Sequence, residues 1–164
     1  MKWNIKTIGK EILTAAVLLF IVSNVISYLR KPSLDFTDLP MIEAKLLDGT
    51  RYKRLEGKPL VIHFWADWCK VCKMEASNIE SLSKKYEVLT IAVNSGDDHA
   101  LQAYMKERNL HFRVINDREG KWAEKFKVSV FPSTFIYNSE GELKFTEVGY
   151  TTTAGLMARL ALVK

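Results

Sequence analysis

Val61-Ile62-His63-Phe64-Trp65-Ala66-Asp67-Trp68-Cys69-Lys70-Val71-Cys72-Lys73-Met74-Glu75 decides how the rest of the chain is read. It holds both cysteines, spaced Cys-x-x-Cys. The apolar run from Leu60 to Ala66, broken only by His63, has the length of a buried strand. Past the cysteines, Met74, Ile79, Leu82 and Tyr86 recur at helical spacing and predict a helix. The pair therefore stands where a strand passes into a helix. Backbone N–H groups and the macrodipole at a helix start favour a thiolate over a thiol. Residues three apart on the first turn also bring their sulfurs within disulfide reach.

Two cysteines are too few for a disulfide scaffold, and their close spacing favours an active dithiol. A structural zinc site takes about four ligands, and there is no second cysteine pair. Haem attachment needs His after the second cysteine, where Lys73 stands. Two inert core thiols are the bland alternative. Thiol–disulfide exchange needs one accessible thiolate and a second thiol to resolve the mixed disulfide. Cys69, just ahead of the helix, suits the nucleophile, and Cys72, inside the first turn, suits the resolving thiol. Lys70 in the intervening dipeptide either favours the Cys69 thiolate or is screened by solvent.

Phe64-Trp65-Ala66-Asp67-Trp68-Cys69-x-x-Cys72-Lys73 resembles the thioredoxin active-site signature. Val128-Ser129-Val130-Phe131-Pro132-Ser133-Thr134-Phe135-Ile136 is similar to the thioredoxin segment that carries its cis-proline. With Glu75 in a C-x-x-C-K-x-E pattern and an apolar N-terminal segment, the resemblance extends to membrane-anchored TlpA/DsbE-type oxidoreductases. Within these it lies nearest the suppressor-of-copper-sensitivity D proteins. It covers roughly residues 40–164. It implies a thioredoxin-like α/β fold, a mixed sheet flanked by helices, with an N-terminal β-hairpin extension and a central insertion. It also implies a redox-active Cys69–Cys72 disulfide and a cis Phe131-Pro132 bond beside it. The backbone of Phe131 would then pair with an extended substrate segment. An ordinary trans proline opening a strand is the other reading of Pro132. Val71 and Lys70 depart from the usual Gly-Pro or Pro-Pro dipeptide.

The formal net charge is +5. Lys2, Lys6, Lys10, Arg30 and Lys31 against the single Glu11 put +4 in the first 31 residues; the remainder holds 19 basic and 18 acidic side chains. The basicity flanks an apolar segment and forms no binding face, which excludes nucleic acid as a partner. Residues 12–29 are apolar except for Thr14, Ser23, Asn24 and Ser27, and as a helix they would span ~27 Å, enough for a bilayer core. We expect residues 1–11 to be a cytoplasmic tail, 12–29 a single transmembrane anchor, 30–39 a tether and 40–164 the thioredoxin-like domain. The lysine balance places the domain on the periplasmic side of a bacterial inner membrane. A cleaved signal peptide ending near Ser27 is the alternative.

Asp48-Gly49 predicts a hairpin turn within residues 41–55. Residues 88–93 predict a second buried strand, parallel to the first. Asp97-Asp98 opens a helix whose apolar face is Ala100, Leu101, Tyr104 and Met105, and residues 112–115 form a short strand. The resemblance identifies this pair as the insertion. A short helix at residues 121–127, antiparallel strands at 134–137 and 142–148, and a closing helix at 152–163 complete the domain.

Around the pair, His63 occupies the position of the buried acid in plain thioredoxins. It either moves the Cys72 proton or is a core histidine satisfied by a backbone group. Glu75, three residues past Cys72, either exchanges protons with it or complements the helix dipole from the first turn. Trp68 shields the sulfurs and, with Phe131 and Pro132, lines the substrate site. Trp65 belongs to the core, and His99 and His111 to the surface.

The chain is thus expected to be a membrane-tethered thiol–disulfide oxidoreductase, more a protein disulfide reductase than an oxidant. It would need neither cofactor nor metal and would act on protein disulfides. The resemblance implies reduction by a membrane thiol-electron donor, in copper-stress protection or cytochrome c maturation. A copper-handling module using the thiolates as Cu(I) ligands is the rival from another class. Copper assembly proteins of this fold use CxxxC with a distant histidine. A peroxidase of the peroxiredoxin type would want Thr at position 66, which is Ala66.

Overall fold

A computed structural model describes residues 5–29, 32, 34 and 37–163. It divides into two units, Met1–Lys31 and Pro32–Lys164. The first is the helix α1 (Ile5–Leu29), whose apolar window Ile8–Ile26 is long enough to cross a membrane. Two polar side chains within it satisfy themselves on the preceding turn. Thr14 Oγ1 donates to the Lys10 carbonyl at 2.8 Å and Asn24 Nδ2 to that of Phe20 at 2.7 Å, a back-bonding that gives each polar group a partner within the helix. The N-terminal four residues, and residues 30, 31, 33, 35 and 36 of the expected tether, lie outside the described residues.

The second unit is built on β1 (Leu60–Trp65), α2 (Lys70–Ser83), β2 (Glu87–Val93), α3 (Asp98–Glu107), β3 (Arg113–Asp117), α4 (Lys121–Lys125), β4 (Ser133–Tyr137), β5 (Leu143–Val148) and α5 (Thr153–Ala161). One five-stranded sheet runs in the order β3-β2-β1-β4-β5. β1 pairs in parallel with β2, and β2 with β3, whereas β4 runs antiparallel to both β1 and β5. Every residue of β1 and β2 is buried, as expected for central strands covered on both faces. Alternation divides β1 between the two cores. Val61 and Trp65 pack with both cysteines and with Ile79, Leu101 and Leu156, from α2, α3 and α5. Ile62 and Phe64 pack with Ala123, Phe126, Phe135 and Tyr52.

The turn at Asp48-Gly49 forms, but its arms make one isolated bridge, Lys45↔Arg51, and no ladder. Asp48 Oδ1 closes the turn by accepting from Thr50 N at 2.9 Å. This segment is held to the sheet from below. Glu87, buried on β2, accepts from Tyr52 Oη at 3.0 Å and from Leu55 N at 3.1 Å. The last residues of the expected tether are part of the domain. Leu143 N donates to Thr37 O at 2.8 Å and Leu39 N to Gly141 O at 2.7 Å, so a backbone edge that composition alone marks as linker is paired.

Two apolar-face expectations are corrected. Met74 is exposed, because the buried stripe of α2 is Cys72, Glu75, Ile79 and Leu82, and Met74 points about 100° away from it. Ala100 is exposed as well; Leu101 and Met105 carry the buried face of α3.

Candidate active site

β1 ends at Trp65, and the loop Ala66–Trp68 carries the chain into α2. Asp67 N donates to Ser95 Oγ at 3.0 Å, and that hydroxyl donates to Val93 O at 3.0 Å, which anchors the loop to the end of β2. Cys69 is the N-cap of α2, and its Sγ accepts from Cys72 N at 3.2 Å. Sulfur therefore takes the place that a hydroxyl or carboxylate oxygen takes in ordinary caps, accepting from one of the orphan N–H groups of the first turn. Cys69 and Cys72 form a disulfide with Cα atoms 5.3 Å apart. Both are buried; Cys69 keeps 8% of its surface and Cys72 3%.

The Phe131–Pro132 peptide is cis. Its loop faces the disulfide, and the Phe131 carbonyl oxygen lies 3.8 Å from Cys69 Sγ. Trp68 stands over this loop with its ring edge-on to Phe131, centroids 5.6 Å apart. Its Nε1 donates to Asn94 O at 3.2 Å, yet the side chain is 56% exposed. Trp68 is thus an exposed platform fixed at two points. Asn94 holds a left-handed φ of 47°, a conformation asparagine tolerates better than most residues.

Glu75 sits in the second turn of α2 and is fully buried, so the first-turn dipole alternative does not hold. Its Oε1 accepts from Thr151 N at 3.0 Å, and Oε2 has no protein partner. Burial pushes its carboxyl up to about 8, with the Thr151 N–H opposing. His63 lies on the same face of β1 as Val61 and Trp65, the face of the cysteines. Its Nδ1 is 2.9 Å from Thr134 Oγ1, so a neighbouring side chain satisfies it in place of a backbone group. Burial pushes its imidazole down to about 3 and keeps it neutral. Trp65 is buried as expected. His99 is exposed, and so is His111, although His111 also holds Glu80 through its backbone N at 2.7 Å.

Among the described residues, no group of three His, Cys, Asp or Glu could hold a metal ion. A cleft of about 450 Å³ between residues 46–48, α3 and β3 contains none of the site residues. Sequence reading missed Ser95, Asn94, Thr134, Asn78 and Thr151. None of them left a signal, since Asn78 is no poorer a helix former than Ser77 and Ser81 in the same helix.

A strand-to-helix cysteine pair facing a proline loop, on a sheet of this order, places the molecule in the thioredoxin-like class of thiol–disulfide oxidoreductases. The AhpC/TSA family pattern matches residues 37–146, and the chain belongs to that family. It is 28% identical over 161 residues to the thioredoxin-like protein of Haemophilus influenzae, covering 96% of this chain and 95% of that one. With the thiol-disulfide oxidoreductase ResA of Bacillus subtilis it shares 30% identity over 128 residues, 73% of this chain and 72% of the relative. A secreted Mycobacterium tuberculosis disulfide oxidoreductase, described as homologous to E. coli DsbE, superposes with a TM-score of 0.64 at 26% identity, covering 74% of this chain and 96% of that one. The chain is an enzyme of the thiol–disulfide oxidoreductase type.

Proposed function

We propose that this protein is a membrane-tethered reductase of protein disulfides. The observation that carries the reading is the Cys69 sulfur, capped by the Cys72 N–H and set against the Phe131 carbonyl. Reduced Cys69 attacks as the thiolate; the substrate S–S bond breaks, and the departing thiolate takes a proton. Cys72 then gives its proton to the Glu75 carboxylate and attacks Cys69 Sγ. The mixed disulfide breaks, and the second substrate sulfur leaves as a thiolate. Two electrons have passed to the substrate, and the Cys69–Cys72 disulfide remains. A base near 8 is well matched to a thiol of ordinary pKa.

Trp68, Phe131 and Pro132 form the platform for an extended substrate segment. His63, neutral and bonded to Thr134, serves the core and not the proton path. α1 anchors the chain in a bacterial inner membrane with the domain in the periplasm, where a membrane thiol-electron donor restores the dithiol. Copper-stress protection and cytochrome c maturation are the settings such a reductase fits. Among the described residues the cysteine pair has no further His, Cys, Asp or Glu grouped with it, which favours electron transfer over Cu(I) storage.

Equilibration with glutathione tests the direction. Helix start and Lys70 each contribute about 0.3–1 kcal/mol to the thiolate, which moves the potential by only tens of millivolts. We expect a potential below about −160 mV and reduction of insulin with dithiothreitol as donor. A potential near the −120 mV or so of DsbA would make the protein an oxidant.

A further inference from the structure

Residues 149–153, the β5–α5 connection and the first residue of α5, are fastened on two sides of the site. At one end Gly149 N donates to Pro132 O at 2.9 Å, within the proline loop. Gly149 takes a φ of +91° there, which glycine alone adopts without strain. Two residues on, Thr151 N donates to Glu75 Oε1 at 3.0 Å. The remaining fastenings all come from Asn78, one helical turn beyond Glu75. Asn78 Nδ2 donates to Tyr150 Oη at 3.1 Å and to Thr151 O at 3.1 Å. Asn78 Oδ1 accepts from Thr153 Oγ1 at 3.0 Å. Both amide hydrogens and one oxygen lone pair are used. For helix formation alone asparagine is a poor choice at this place; for holding this connection it is well suited.

We propose that Asn78 is a positioning residue for the dithiol chemistry: it holds the 149–153 strap on α2, and the strap fixes the Glu75 carboxyl one turn from Cys72 and seals it from water. This rests on the proton-transfer role given to Glu75 above.

Few titratable groups face that carboxyl. From α2 there is Cys72. β1 contributes His63, bound to Thr134. The residues of β2 on this face, Val88, Thr90 and Ala92, contribute none. The strap contributes Tyr150, whose hydroxyl Asn78 holds. The charged side chain of α5, Arg159, is engaged elsewhere, with Glu147 at 2.7 Å and with Gly155 O at 3.0 Å. Burial is therefore what separates Glu75 from an ordinary glutamate, and the strap, bonded to the carboxyl through Thr151 N, is the part of its surroundings that Asn78 holds. Opening the strap admits water, returns the carboxyl toward its ordinary range and makes it a weaker base for Cys72.

The test uses the full-length protein in detergent micelles. Single-turnover reduction of a fluorogenic disulfide peptide is followed from pH 5.5 to 10 for wild type, Glu75→Gln, Asn78→Ala, Tyr150→Phe and the Glu75→Gln/Asn78→Ala double variant. The limb of the profile that Glu75→Gln removes should move at least one pH unit lower in Asn78→Ala, with a plateau several-fold slower. Tyr150→Phe, which deletes one hydroxyl and little packing, should move it the same way by less. In the Glu75→Gln background Asn78→Ala should change nothing further. If Asn78→Ala lowers the melting temperature while the profile stays in place, Asn78 is merely structural and the proposal is overturned. If Glu75→Gln itself leaves the wild-type profile intact, the proton-transfer role fails, and this inference with it.

Discussion

At the scale of single residues, the two cysteines differ in what surrounds each sulfur. Cys69 Sγ caps the helix and touches the proline loop, the side from which a substrate sulfur can approach. Cys72 lies deeper, packed with Val61, Trp65 and Ile79. Cys72→Ala should therefore leave a protein that captures substrates through Cys69 as long-lived mixed disulfides, because the resolving thiol is gone. Cys69→Ala should capture none. Non-reducing gels of trapped partners decide it, and capture by Cys69→Ala alone would reverse the two roles. The cysteine pair was legible because its spacing is local to a few consecutive residues, whereas the cis bond at Pro132 was legible through the resemblance. Glu75 was half legible: spacing placed it one turn from Cys72, but its hydrogen-bond partner is Thr151, 76 residues away. The partner of His63 was not legible, since Thr134 reaches it only through the β1–β4 register.

Among the elements, α1 is the one whose surroundings sequence and structure describe most differently from the rest. Leu13, Leu19 and Phe20 are 66%, 70% and 68% exposed, and such an apolar surface is stable in lipid and not in water. At 25 residues the helix reaches about 37 Å, longer than a hydrocarbon core. Carbonate-washed membranes should retain the protein, and its mature N-terminus should precede Ile12. A mature N-terminus near Tyr28 with the protein released would mean a cleaved signal peptide instead. The strands and helices of the domain were legible to within a few residues wherever apolar periodicity was strong, as in β1, β2 and α5. The hairpin at Asp48-Gly49 was legible as a turn but not as an isolated bridge, because a turn motif fixes local geometry and not the length of pairing that follows. The docking of residues 37–39 on the β4–β5 turn was not legible, since its hydrogen bonds are between backbone groups and Leu39 is a single apolar residue in a polar stretch.

At the scale of the whole molecule, two buried groups on the cysteine face give the fold an opposed pH dependence. His63 stays neutral in the folded state down to about 3, whereas an unfolded histidine takes up its proton near 6.5. Its contribution to stability is therefore present above about 6.5 and is lost as the pH falls from there toward 3. Glu75 keeps its proton up to about 8, against 4.5 for an ordinary glutamate. Its contribution is full below about 4.5 and is lost as the pH rises from 4.5 toward 8. Each slope is on the order of 1.4 kcal/mol per pH unit. They cancel where the windows overlap, between about 4.5 and 6.5, so this pair places a plateau at mildly acidic pH with a decline on either side. On the acid side, Glu80, whose carboxyl the His111 backbone N–H holds below the usual range against the opposing effect of burial, adds to the decline. On the alkaline side Glu75 acts alone of the two. Glu75→Gln replaces the buried acid with a neutral isostere, so urea denaturation of the oxidised protein should give closely similar stability for both chains near pH 4. Wild type should then fall progressively behind Glu75→Gln between pH 4.5 and pH 8. Parallel curves across that range would mean that Glu75 ionises at an ordinary pH, and that its burial does not govern its proton.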